Sequence, residues 1–191
     1  MTDVLDRFLR YVKIDTQSAY NSDAYPSTSK QLDLARLLEQ ELTHLGLEDV
    51  VLDEYGYVTA ALPSNVNHPT QTVGFIAHMD TSPAASGKDV KAQVIENYDG
   101  EDILLNPESG IHLSPKDFPG LQKHVSKTLV VTDGTTLLGA DDKAGIAAIM
   151  SAMATLIENP EIPHGRIRVG FTPDEEVGAG VDYFDVPGFA A

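Results

Sequence analysis

Val4, Leu5, Phe8, Leu9 and Val12 recur at the three-and-four spacing that lines apolar side chains along one face of a helix. The pattern predicts a first helix, with Thr2 as its cap. The polar stretch over residues 15–26 reads as loop. A second stripe of Leu34, Leu37, Leu38, Leu42 and Leu45 predicts another helix. Ser27 or Thr28 is placed to cap its start, and Gly46 stands where a C-terminal glycine belongs. Residues 50–62 predict two strands turning near Tyr55-Gly56. The short apolar run over 72–77 predicts a buried strand. Residues 81–127, where Pro, Gly, Ser and Asp are frequent, are the least patterned, with short strands expected around 92–95 and 103–105. Residues 128–132 and 135–138 flank Asp133-Gly134, a strong signal for a hairpin. A third helix is expected over 142–157, with Ile146, Ala147, Ile149, Met150 and Met153 apolar, followed by a strand over 166–171.

Strands mixed with helices predict an α/β fold with a mixed central sheet flanked by helices. In such sheets, sites gather where strands end and loops begin. That directs attention to the segments after Ala77, Leu138 and Phe171.

Composition narrows the chemistry. Thirteen Lys and Arg against 29 Asp and Glu in 191 residues leave a net charge of −16, which argues against nucleic acid and anionic membrane surfaces as partners. There is no Cys, which excludes disulfides, thiolate metal sites and thiol catalysis. No apolar run is long enough to span a membrane, and Met1-Thr2-Asp3-Val4 does not read as a secretion signal. A cytoplasmic location is expected.

All three suspect segments carry acids. His78-Met79-Asp80 pairs an imidazole with a carboxylate two residues on, placed to accept the other ring N–H and fix the tautomer. Chance competes with this reading, because six His among 29 acids predict about one such pair and the chain has one. Asp141-Asp142 follows Gly139-Ala140, where the bland reading is an acidic helix start. The functional reading has Asp141 presenting both carboxylate oxygens to metal. Asp174-Glu175-Glu176 follows the last strand and reads either as an exposed acidic turn or as a division of labour between a metal ligand and a general base. Each motif alone is weak. Together they offer an imidazole and several carboxylates at one sheet edge, a donor set suited to zinc, manganese or cobalt.

His78-Met79-Asp80-Thr81, Gly139-Ala140-Asp141-Asp142-Lys143-Ala144-Gly145 and Thr172-Pro173-Asp174-Glu175-Glu176-Val177-Gly178 resemble the metal-site motifs of the dinuclear zinc aminopeptidase/carboxypeptidase/aminoacylase family. The flanking segments Tyr11-Val12-Lys13-Ile14-Asp15-Thr16-Gln17-Ser18 and Thr81-Ser82-Pro83 resemble its tripeptide-cleaving members. The resemblance implies that His78 ligates one metal and that Asp80 orients it. It implies that Asp141 bridges two Zn2+ ions, with Mn2+ or Co2+ as substitutes, that Glu175 is the general base, and that Glu176 ligates the second metal. The reaction implied is release of the N-terminal residue of a tripeptide. The family pattern calls for two further ligands, an acid and a His, beyond residue 191, and for an inserted lid and dimerisation domain. Residues 1–191 are therefore expected to be the N-terminal part of the catalytic domain, to bind metal weakly, to show little or no activity and to self-associate. Two other readings stand: another hydrolase of the family, a dipeptidase or an aminoacylase, and a non-catalytic acidic interaction fragment.

Overall fold

The computed structural model describes residues 4–190, so the expected cap at Thr2 lies outside the described residues. Helix α1 (Val4–Tyr11) and helix α2 (Gln31–Leu45) come first. Gly46 closes α2 in the left-handed region, φ 86°, with its N–H on the carbonyls of Leu42 and Thr43. The start of α2 departs from expectation, because Lys30 precedes it without a side-chain cap. The two candidate hydroxyls are engaged elsewhere: Ser27 Oγ donates to Asp174 Oδ1 and Thr28 Oγ1 to the Gln17 carbonyl.

Strands β1 (Glu48–Leu52) and β2 (Val58–Leu62) form the expected pair. Asp53 Oδ1 accepts the N–H groups of Tyr55 and Tyr57, and Gly56 turns the chain at φ 89°. After β3 (Val73–His78) come the short strands β4 (Gln93–Ile95), β5 (Ile103–Asn106), β6 (Ile111–Leu113) and β7 (Leu129–Val131). Helix α3 (Ala140–Glu158), β8 (Ile167–Thr172) and a short α4 (Val186–Phe189) complete the chain.

The main sheet runs β1-β2-β8-β3, with β8 antiparallel to β2 and parallel to β3. It is the mixed sheet the sequence predicts. Alternate residues Val58, Ala60 and Leu62 of β2 and Ile167, Val169 and Phe171 of β8 enter one core. There they meet Phe8 of α1 and Val12 just after it, Leu34, Leu38 and Leu42 of α2, and Ile146, Met150 and Met153 of α3. On the opposite face the Phe189 ring lies close over Gly170, 3.2 Å from where a Cβ would stand, and 5.4 Å from the Arg168 guanidinium carbon. Neighbours on both sides and both faces explain why all of β8 is buried.

Two expectations about strands also fail. The run over 72–77 forms a strand, but Val73, Phe75 and Ile76 are 44–53% exposed. β3 is an edge strand, partnered by β8 alone among the described residues, so an apolar run does not ensure burial. The hairpin around Asp133-Gly134 does not form. β7 pairs instead with β4, and residues 135–138 are not a strand. Asp133 Oδ1 takes the N–H and hydroxyl of Thr135, and Thr132 Oγ1 takes the Gly134 N–H. These local bonds turn the backbone out of ladder geometry. The Asp141 segment therefore follows a loop rather than a strand. The poorly patterned region holds the additional hairpin β5–β6, which the sequence pattern half reveals through Ile103 to Leu105. No helix among the described residues is long and apolar enough to cross a membrane.

Candidate metal centre

β3 and β8 run parallel and in register, His78 opposite Thr172, so both chains leave the sheet at the same edge. His78 projects from the end of β3 with its side chain 10% exposed. Its Nε2 lies 2.9 Å from Asp141 Oδ1 and 3.9 Å from Glu175 Oε2. Its Nδ1 lies 3.0 Å from the Asp80 carbonyl and 3.4 Å from Asp80 Oδ1. The expected His78–Asp80 contact is thus present, with the backbone carbonyl as the nearer acceptor.

The Asp80 carboxylate has a second task that the spacing does not reveal. It is fully buried and accepts the Glu175 N–H on Oδ1 at 3.0 Å and the Glu176 N–H on Oδ2 at 3.1 Å. One carboxylate thereby ties the end of β3 to the turn after β8.

The adjacent acids at the start of α3 divide. Asp142 Oδ1 accepts the Gly145 N–H at 3.1 Å and caps the regular helix, as the bland reading has it. Asp141 has non-helical backbone angles, φ −85° and ψ 106°, and its 86% exposed side chain faces His78. His78, Asp141 and Glu176 can each offer one donor atom, all within 4.8 Å of one another. Glu175, 59% exposed, borders this trio. Beside it opens a cavity of about 390 Å³ lined by Ile76, His78, Glu175, Gly180, Val181 and Phe184.

The charge balance matches this geometry. Burial favours a neutral His78 ring, but hydrogen bonds to Asp80 and Asp141 and the charges of Asp80 and Glu175 outweigh it and raise the pKa to about 9. Burial also works against an ionised Asp80, yet His78, Ser18 and the Glu175 N–H hold its carboxyl below the ordinary range. Burial pushes Glu176 up, reinforced by the charges of Asp80, Asp141 and Glu175. The ion pairs of Asp141 and Glu175 are with His78 alone among the described residues, so carboxylates outnumber the one imidazole around the trio.

Two buried groups escaped the sequence reading. Asp174 is 1% exposed, not part of an exposed acidic turn, and is bonded to Ser27 and Gln31. Lys143 is 1% exposed, its Nζ donates to the Ile14 carbonyl at 2.7 Å, and burial lowers its pKa to about 8. Helical spacing was a usable signal for Lys143: it precedes Ile146, Ala147 and Met150 on the buried stripe.

Residues 128–186 match the model of peptidase family M20/M25/M40. The segment contains both the Asp141 and the Glu175-Glu176 motifs. Two curated relatives, both peptidase T, match the full chain: that of Alkaliphilus oremlandii at 62% identity and that of Desulfitobacterium hafniense at 63%. This chain resembles peptidase T over its whole length. It spans about half the length of these relatives, 47% and 46%. Among solved structures, aminopeptidase PepT from Bacillus cereus superposes with a TM-score of 0.68 at 25% identity, over 98% of this chain and 40% of that one. A tripeptidase from Staphylococcus aureus gives 0.63 at 25%, over 96% and 39%. An aminoacylhistidine dipeptidase from Vibrio alginolyticus shares the fold, with a TM-score of 0.56 at 23% identity.

Proposed function

We propose that these residues carry the metal-binding half of a tripeptide aminopeptidase that uses two divalent ions, zinc in the first instance, with manganese or cobalt as substitutes. The observation that carries the reading is the convergence of His78, Asp141 and Glu176 within 4.8 Å, with Glu175 alongside. The donor set suits such ions: one imidazole, carboxylates, no sulfur, and, among the described residues, no Lys or Arg ion-paired with Asp141 or Glu175. His78 and Asp141 would hold one ion, and Asp141 and Glu176 the other. Bound metal would polarise the scissile carbonyl and acidify a water molecule. Asp80 fixes the imidazole from behind and, through its bonds to the Glu175 and Glu176 N–H groups, fixes the turn that carries both acids. Glu175 accepts the proton of the attacking water on a carboxylate oxygen that is open to the cavity.

Each ion finds two protein ligands here, whereas catalytic zinc generally takes three. The remaining ligands, the lid domain and full activity belong, in this reading, to a protein of peptidase T length, and residues 1–191 form the N-terminal portion of its catalytic domain. Cytoplasmic location and self-association belong to the same reading, with the exposed Val73, Phe75 and Ile76 as apolar surface for the latter.

The test pairs two variants. In a protein of peptidase T length bearing this site, Glu175→Gln should abolish tripeptide turnover and leave metal content nearly intact. Glu176→Gln should lower metal occupancy first. Exchanged phenotypes would reverse the two roles, and preference for dipeptides or acylated amino acids over tripeptides would overturn the substrate class.

A further inference from the structure

Gln31 and Asp174 form a closed pair beneath the turn that carries Glu175 and Glu176. Gln31 is fully buried at the first position of α2, and Asp174 is 1% exposed. Gln31 Nε2 donates to Asp174 Oδ1 at 2.7 Å, and the Asp174 backbone N–H donates back to Gln31 Oε1 at 3.2 Å. The Asp174 carboxylate also accepts from the Ser27 N–H at 2.6 Å and from Ser27 Oγ at 2.5 Å. A buried carboxylate is costly unless it is paired or hydrogen-bonded. Asp174 is satisfied by three neutral donors, all from α2 and the loop before it.

The pair sets a backbone reversal. Asp174 stands at φ 55°, in the left-handed region that few non-glycine residues adopt. Immediately after it, the Glu175 and Glu176 N–H groups reach the two oxygens of Asp80. Gly180 closes the turn so tightly that a Cβ there would stand 3.0 Å from the Glu175 Cα. Two buried carboxylates therefore hold the turn, Asp174 bonding to α2 and the loop before it and Asp80 receiving the Glu175 and Glu176 N–H groups. A primary amide is the side chain that supplies a donor to the Asp174 carboxylate and an acceptor to its N–H from one planar group. Ionised Glu offers no donor and would repel Asp174, and Leu would leave both partners unmade.

We infer that Gln31 is a positioning residue: through Asp174 it sets the turn so that Glu175 and Glu176 meet His78 and Asp141. The consequence for metal rests on the proposed function, whereas the hold on the turn does not.

The test measures both in this chain. Hydrogen exchange of the Glu175 and Glu176 amides is followed in metal-free protein, and Mn2+ affinity is measured by titration. Gln31→Glu should speed exchange of those two amides at least about tenfold while amides in the middle of α3 keep their protection. It should weaken Mn2+ binding by about 10–100-fold, as loss of a supporting partner does. The double variant Gln31→Glu/Asp174→Asn transposes amide and carboxylate, and should recover most of both losses. Ser27→Ala removes a single bond to Asp174 and serves if Gln31→Glu does not fold; it should speed the same two amides several-fold. A lowered melting temperature with both amides and Mn2+ affinity unchanged, or no recovery in the double variant, would overturn the inference. Absence of Mn2+ binding by the unaltered chain would instead sink the metal reading, and amide exchange would still decide the role of Gln31.

Discussion

Asp80 is the group whose removal the structure resolves most sharply. Asp80→Asn keeps the size of a fully buried side chain but puts an NH2 where one of two carboxylate oxygens now accepts an amide proton. One of the Glu175 and Glu176 N–H groups then faces another donor. A charge-assisted bond lost and a buried N–H left unpaired cost about 3 kcal/mol together. The variant also removes the anion 3.4 Å from His78 Nδ1 while the burial that favours a neutral ring remains. The His78 pKa, about 9 in the metal-free chain, should therefore fall by about 1–3 units, less than to the full extent of burial because Asp141 still contacts Nε2. A His raised in the folded state adds stability that is complete below its unfolded pKa near 6.5 and is lost as pH climbs through 9. The shift corresponds to about 3 kcal/mol, and solvent screening at this partly open site reduces it to about 2 kcal/mol. Metal-free protein should accordingly lose about 1 kcal/mol between pH 6.5 and 8, and Asp80→Asn, less stable overall, should lose little over the same window. Asp80 itself acts on the acid side: its lowered carboxyl adds stability present above about pH 4 and lost as pH falls through the folded value. NMR titration of the His78 ring with urea denaturation at each pH measures both effects. A His78 pKa that stays within half a unit of its starting value in Asp80→Asn would refute the account.

Mn2+ or Zn2+ should raise the melting temperature of the chain and chelator should reverse it, since metal at about one hundred times its Kd adds about 2.7 kcal/mol to the native state; identical melts with and without metal would remove the site. Lys143→Met should stabilise the chain at pH 7 by about 1–3 kcal/mol, because a buried ammonium held by one carbonyl is replaced by an apolar group of similar length. That gain should vanish near pH 10.5, since a lowered Lys pKa costs the folded state stability below about 8 and nothing once the amine is neutral in both states; an equal effect at both pH values, by urea denaturation, would contradict the burial argument. Gly180→Ala should weaken Mn2+ binding by pushing on the Glu175 backbone, with Gly46→Ala, where no atom lies within 4 Å of the added Cβ, as the strain-only control whose Mn2+ affinity stays unchanged.

Much of this was legible because it rests on local patterns. The leucine stripe of α2, its closing Gly46 and the stripe of α3 report burial through helical period, and the structure buries Leu34, Leu38, Leu42, Ile146 and Met150 as that period requires. The residues that converge on the metal centre were legible for a different reason: each sits in a short motif next to an element end. What escaped depended on partners far along the chain. β3 is apolar yet exposed, because its place at the sheet edge is set by topology and not by its own composition. The Asp133-Gly134 hairpin yields to β4–β7 because Thr132 and Asp133 bond their own backbone, a competition that a β-propensity count ignores. Asp174 looked like one of three exposed acids because its donors lie 147 and 143 residues away in sequence.

The chain's acids separate into two populations, and that separation is the physical argument for a cation. Asp80 and Asp174 are buried, and their oxygens are filled by N–H and O–H donors of the protein itself. Both are structural carboxylates whose hydrogen-bonding capacity the fold fills in place of water. Asp141 and Glu175 are open to solvent, have no ion pair with Lys or Arg among the described residues, and stand around a single imidazole. Gathering like charges at one edge of a protein of net charge −16 raises the energy of the metal-free fold. The buried pair makes that arrangement unavoidable, because the same bonds that satisfy Asp80 hold Glu175 and Glu176 in place. A divalent ion is the partner that relieves the repulsion without disturbing those bonds. On this account, neutralising an exposed acid and neutralising a buried one should have unequal effects on the metal-free chain. Asp141→Asn, which loses only a largely exposed contact with His78, should cost the metal-free chain less than Asp174→Asn and should lower its affinity for Mn2+, whereas Asp174→Asn should clearly lower its stability. If Asp141→Asn destabilised the metal-free chain as much as Asp174→Asn did, Asp141 would belong to the fold and not to the site.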